Sequence, residues 1–251
     1  MSTKAGYIII AAYFAIVLFL AHQSYSNPNF PGNFDGRAAG AISPQIFPNE
    51  YVPAIKSRGD VLTMSIPEGE NWSVWIDGAC AETLREDGNR LDVRVPGVPY
   101  GFHNITLKSS DREISAGNAL YVSPHPNSSF CFAQITDAHI GSPDVNISDV
   151  RYAIASINLI APAFVLSTGD NTDHGHWEEH EEYVKLIRLF DIPVFTVPGN
   201  HEKLSDPFLY NYRKFFVFPN YSFYFGDNQF IGFDTAVPRR GAGFVRDKTL
   251  R

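Results

Sequence analysis

Three short clusters of oxygen- and nitrogen-bearing side chains each close an apolar run, and their spacing constrains the fold more than any other feature of the chain. They are Asp137-Ala138-His139-Ile140-Gly141, Gly169-Asp170-Asn171-Thr172-Asp173 and Gly199-Asn200-His201-Glu202. From 137 to 170 is 33 residues, and from 170 to 200 is 30. Each interval is the length of one βαβ unit, so all three clusters land on one rim of a parallel sheet. Ligands of such sheets collect in the loops beyond the C-terminal ends of the strands. Carboxylate, amide and imidazole groups converging there suit a pair of divalent cations.

The intervening segments carry the matching pattern. Residues 130–136, 164–168 and 193–197 are short apolar runs, as strands covered on both faces require. Ser148 is placed to cap a helix over 149–160, with Val150, Ala153, Ile154 and Ile157 on one face. A second helix over 177–190 begins with Glu178, Glu179, Glu181 and Glu182, where the helix dipole favours negative charge. A hairpin follows over 222–234, turning at Gly226-Asp227-Asn228.

Upstream the pattern differs. Residues 51–123 hold short β-prone runs separated by Gly, Pro, Asp and Asn, which predicts a small all-β sandwich of immunoglobulin or fibronectin type III kind. Residues 27–50, rich in Pro, Gly and Asn, read as a linker. Residues 5–21 run 17 residues without a charge, next to Lys4. That predicts an N-terminal hydrophobic helix within 1–26, either a signal anchor in the membrane or a cleaved signal peptide ending near Ser24-Tyr25-Ser26. Either reading puts the folded part outside the cytoplasm, membrane-anchored or secreted. Five Asn-x-Ser/Thr sites, at Asn71, Asn104, Asn127, Asn146 and Asn220, agree with a glycoprotein. Cys80 and Cys131 either form one disulfide or stand as two thiols. A net charge of -7 without a basic cluster argues against a nucleic-acid partner.

The motifs D-x-H at 137–139, G-D-x-x-D at 169–173 and G-N-H-E at 199–202 together resemble those of the calcineurin-like metallophosphoesterases. The resemblance covers residues 130–235 and implies an α/β fold over 124–251, the first half of a four-layer αββα sandwich. It also implies a hydrolase for phosphoester substrates, working through a hydroxide activated by two divalent metal ions, Mn, Fe or Zn. In that scheme Asp137, His139 and Asp170 hold the first ion, and Asp170 and Asn200 the second. His201 acts as general acid toward the leaving oxygen or stabilises the transferring phosphoryl group, and Asp173 orients its imidazole. Purple acid phosphatases carry a metal-binding Tyr where this chain has Asp173, so a charge-transfer Fe(III) centre is not expected.

The family completes its site with one further His and a later G-H-x-H, and no His follows His201 here. The chain is therefore expected to be part of a longer product, weakly active or inactive alone. The alternative is a non-catalytic extracytoplasmic protein whose β-module does the binding. His174, His176 and His180 read as a solvated loop and helix start, and Glu202 as a structural hydrogen-bond partner.

Overall fold

The computed structural model describes residues 7–12, 15–21, 46–68, 71–125, 129–238, 240–241 and 243–244. Strands β1 (Tyr7–Ala12) and β2 (Ala15–Ala21) come first. Eight strands follow: β3 (Ala54–Lys56), β4 (Val61–Ser65), β5 (Ser73–Ile76), β6 (Ala79–Cys80), β7 (Glu82–Asp87), β8 (Arg90–Arg94), β9 (Gly101–Lys108) and β10 (Glu113–Val122). They form two sheets, β3-β10-β9-β5-β6 and β4-β8-β7. Alternation decides their faces: Leu62 and Met64, Val74 and Ile76, Leu91 and Val93, Ile105 and Leu107 share one dry core between the sheets. The exposed strand β7 carries Glu82, Arg85, Glu86 and Asp87, charges that blunt an edge against pairing with other chains. Cys80 and Cys131 are separate, exposed free thiols.

The second unit is α/β. Strands β11 (Ala133–Ile135), β12 (Val165–Ser167) and β13 (Val194–Thr196) are parallel and adjacent in chain order. Helices α1 (Ile147–Ile160), α2 (Trp177–Ile187) and α3 (Tyr210–Phe216) complete it, with the antiparallel pair β14 (Tyr221–Phe225) and β15 (Asn228–Asp234). Neighbouring residues of one apolar run serve two cores. Val165 packs with Tyr183, Val184, Ile187 and Tyr212 of the helices, whereas Phe164 and Leu166 meet Phe225 and Phe230 of the hairpin. Phe195 and Phe223 stack across the sheets with centroids 3.8 Å apart. Helices, parallel sheet and antiparallel sheet thus supply three of the four expected layers among the described residues.

The two units share their packing. Ile55 of β3 joins the Phe164 core, and Tyr51 meets Phe215 edge-on at 5.5 Å. Phe47 bridges to Ser65 and meets the ring of Phe218 at 5.2 Å, so residues 46–50 belong to the fold rather than to a linker. The rest of the predicted linker and the Ser24–Ser26 segment lie outside the described residues.

Three local expectations change. The apolar N-terminal segment is not a helix: β1 and β2 are an antiparallel pair, and β2 continues the sheet along β15. Ile8, Ile9, Ile10, Ile16 and Val17 are β-branched, and the outer edge of β15 offers unpaired backbone groups to them. Among the described residues no helix is long and apolar enough to cross a membrane. The first helix starts two residues earlier than expected, because the Asn146 side chain, not that of Ser148, caps it by accepting the Ser148 N–H at 3.1 Å.

The third change is His180, which is 1 % exposed and not solvated at all. Its ring lies against Tyr212 and Phe215, and neither nitrogen has a hydrogen-bond partner among the described residues. Burial pushes its pKa down to about 4 from an ordinary 6.5. The folded state therefore keeps the ring neutral where the unfolded chain takes up a proton. Stability is full above pH 6.5, falls as pH drops below it, and the loss is complete near pH 4. The penalty amounts to about 3 kcal/mol. Urea denaturation across this pH range should show that loss, and His180→Phe should remove its share; an unchanged pH profile in the variant contradicts the assignment.

Candidate metal centre

All three loops leave the C-terminal ends of the parallel strands. Loop one follows β11, and its Asp137 and His139 N–H groups donate to Gly169 and Asp170 carbonyls of loop two at 3.1 and 3.0 Å. Loop three follows β13 and passes through a short 3₁₀ turn, His201–Lys203. Three of the expected site residues, Asp137, His139 and Asp170, have left-handed backbones with φ of 56°, 43° and 50°. Side chains other than Gly rarely hold that conformation unless their surroundings enforce it.

For Asp170 the enforcement comes from Glu202, which is fully buried. Its Oε1 accepts the Thr172 N–H at 2.8 Å and the Thr172 hydroxyl at 3.0 Å. Its Oε2 accepts the N–H groups of Asp170 at 3.1 Å and Gly199 at 2.5 Å. Burial pushes the Glu202 carboxyl above the ordinary carboxylate range, while the Thr172 and Gly199 donors pull it back. One side chain thereby ties loop two to loop three.

Close approach also needs bare backbone. A Cβ on Gly199 would lie 2.1 Å from Asp170 Oδ1 and 2.4 Å from Asp170 N, so only glycine fits. Gly141 opens a similar space, filled by Glu179, which would stand 2.6 Å from an added Cβ. Glu179 Oε2 accepts the N–H groups of His174 and His176, at 2.9 and 3.1 Å. It fastens the start of α2 to loops one and two.

His139, Asp170 and His201 form the one group of titratable side chains among the described residues whose ligand atoms lie together, all within 4.8 Å. Asp137 stands beside them, with Oδ1 3.9 Å from His139 Nε2, and is half exposed. Asn200 is buried, and its Oδ1 has no hydrogen-bond partner among the described residues. The Asp173 carboxylate sits 3.2 Å from His139 Nδ1 but 3.8 Å from His201 Nδ1. The His201 ring is held instead by the Asp173 main-chain carbonyl, 2.7 Å from Nδ1. A carbonyl only accepts, so Nδ1 of His201 carries the proton and Nε2 is left free.

Three supports escape sequence reading. Lys203 Nζ, nearly buried, donates to Asp234 Oδ2 at 2.5 Å and to the Ala236 carbonyl at 2.7 Å, fixing the end of β15 behind loop three. Asn171, also buried, donates from Nδ2 to Thr196 Oγ1 and the Val197 carbonyl and accepts from Ser167. Glu179 is the third. A lysine after G-N-H-E and an Asn beside an Asp carry no spacing signal for such partners.

Glu202→Gln puts an amide nitrogen against two N–H donors and should cost roughly 3 kcal/mol in urea denaturation. Gly199→Ala should cost about 1–3 kcal/mol from overpacking and abolish binding of Mn²⁺ measured by calorimetry. Wild-type stability and Mn²⁺ affinity in both variants would remove Glu202 and Gly199 from this account.

Residues 131–245 match the family of calcineurin-like phosphoesterases. The probable glycerophosphodiester phosphodiesterase GpdQ of Arcobacter nitrofigilis is 34% identical over 82 residues, which make up 29% of this chain and 30% of that protein. The chain thus spans less than a third of that curated relative. Among solved structures, the purple acid phosphatase PPD1 from yellow lupin (Lupinus luteus) aligns over 72% of this chain and 42% of its own, with a TM-score of 0.42 and 13% identity. A DUF4784 family protein from Bacteroides caccae aligns over 34% of this chain and 25% of its own, with a TM-score of 0.27 and 15% identity. Structural likenesses this slight carry no weight, and the assignment rests on the family match and the motifs within it. That match encloses all three loops and supports a calcineurin-like metallophosphoesterase domain over residues 131–245.

Proposed function

We propose that the chain hydrolyses phosphoesters at the rim formed by Asp137, His139, Asp170, Asn200 and His201, with two divalent cations of Mn, Fe or Zn type held there. The observation that carries this reading is a buried, unsatisfied acceptor at the centre of the donor cluster. Asn200 Oδ1 is buried without a donor among the described residues, beside a buried Asp170 and two imidazoles. Buried acceptors without donors are costly, and a cation is the partner that satisfies several together. The donor set of carboxylate, amide oxygen and imidazole fits such ions.

Asp137, His139 and Asp170 would hold one ion, and Asp170 with Asn200 the other. Bound there, the ions would polarise a phosphoryl oxygen and acidify a water. The Asp173 carboxylate accepts from His139 Nδ1, which leaves Nε2 as the ligand atom and fixes the ring. In its doubly protonated form His201, anchored through Nδ1 to the Asp173 carbonyl, would deliver the Nε2 proton to the leaving oxygen. Placement outside the cytoplasm is part of the same reading. The asparagines of four sequons, Asn71, Asn104, Asn146 and Asn220, are exposed, as glycosylation requires.

The relative's name makes phosphodiesters the first substrates to try. With bis(p-nitrophenyl) phosphate and added Mn²⁺, we expect slow turnover that EDTA stops and that Asp170→Asn lowers more than about 100-fold. Turnover indifferent to EDTA and to Asp170→Asn would falsify the assignment. Absence of turnover with Mn²⁺, Fe²⁺ and Zn²⁺ alike would favour the binding-protein reading.

A further inference from the structure

A second site lies where the β-sandwich meets the hairpin. The end of β3 and the segment after β10 face the β14–β15 turn across a cavity of ≈ 240 Å³. Lys56, Ser57, Ser123 and His125 line it from one side, and Tyr224 and Phe225 from the other. The turn is the opposite end of β15 from Asp234, which Lys203 ties to the metal-centre loops. Seven strand residues separate the two ends, about 20 Å. The cavity is therefore not an extension of the metal centre.

Lys56 is the feature that needs a partner. Its side chain is half-buried, and burial pushes its ammonium pKa down, with Asp60 opposing that shift. Among the described residues the ammonium makes no hydrogen bond and no ion pair within 4.0 Å. Asp60 lines the cavity too, but its Oδ2 already accepts the Ser57 N–H at 2.8 Å. Asp227, the other carboxylate there, is exposed on the turn, where water and salt screen it. A half-buried cation that no carboxylate contacts directly gains when an anion enters the cavity beside it. Ser123 donates its hydroxyl to the Pro124 carbonyl at 3.0 Å, and His125 supplies a ring nitrogen beside it.

From these contacts we propose that the cavity binds a small oxyanion, a phosphate or phosphonate head paired with Lys56 and flanked by Ser57 and His125. The aromatic wall of Tyr224 and Phe225 admits an organic body on that head. A ligand there touches both the β-sandwich and the phosphoesterase domain, so its binding favours their docked arrangement.

The test uses the Asp170→Asn chain in EDTA, so that the metal centre takes no part. Inorganic phosphate and phenylphosphonate, which has no ester to hydrolyse, are titrated while backbone amide spectra are recorded. Saturable shifts are expected at residues 55–60, 123–125 and 224–227, and Lys56→Met should weaken them at least ~10-fold. Tighter binding of phenylphosphonate identifies an organic ligand, and equal or tighter binding of phosphate identifies the free ion. Both support the site. No saturable shift in those residues with either probe overturns it, as does undiminished affinity in Lys56→Met. Should that variant fail to fold, the Asp170→Asn map alone decides.

Discussion

The buried carboxylate of Glu202 is the interaction on which the rim depends. It gathers four donors from Asp170, Thr172 and Gly199, so loops that leave neighbouring strands are locked to each other. A buried carboxylate with its lone pairs filled is stable, and one with half of them filled is not. That asymmetry makes the clasp all-or-none. The loops either sit together with their ligand atoms facing outward, or the centre does not exist. The desolvation that raises the Glu202 pKa is the cost of placing the clasp inside the protein rather than at its surface.

Strain and bare backbone complete the arrangement. Asp137, His139 and Asp170 stand in left-handed conformations, which side chains other than Gly rarely hold unaided. Gly199 lets the third loop lie against Asp170 without a Cβ between them. Each of these choices is unfavourable in isolation. The dry layers beneath, Phe164 and Phe195 against the hairpin and Val165 against the helices, supply the packing that holds them. The outcome leaves Asn200 Oδ1 buried with no donor among the described residues, beside Asp170 and two imidazoles.

How much of this was legible in the sequence follows from what each feature requires. Spacing of 33 and 30 residues and apolar runs placed the three loops on one rim, because βαβ units have a fixed minimum length. Roles that depend on which neighbour a side chain meets were not legible. Asp173 reaches His139 with its carboxylate and His201 with its carbonyl, a division that no spacing encodes. His180 looked polar by type, yet its place on the inner face of α2 buried it against Tyr212 and Phe215. The N-terminal run showed the limit of length and apolarity as a guide. β-Branched residues serve a strand as well as a membrane helix, and an open sheet edge decides between them.

The central claim is that these loops, clasped by Glu202, present a ligand set for divalent cations. Anomalous diffraction from crystals soaked in Mn²⁺ tests it most directly. The account predicts peaks in contact with His139 Nε2, the Asp170 carboxylate and Asn200 Oδ1. Ordered loops with no peak there, or Mn²⁺ bound instead at the exposed His174 and His176, would contradict it.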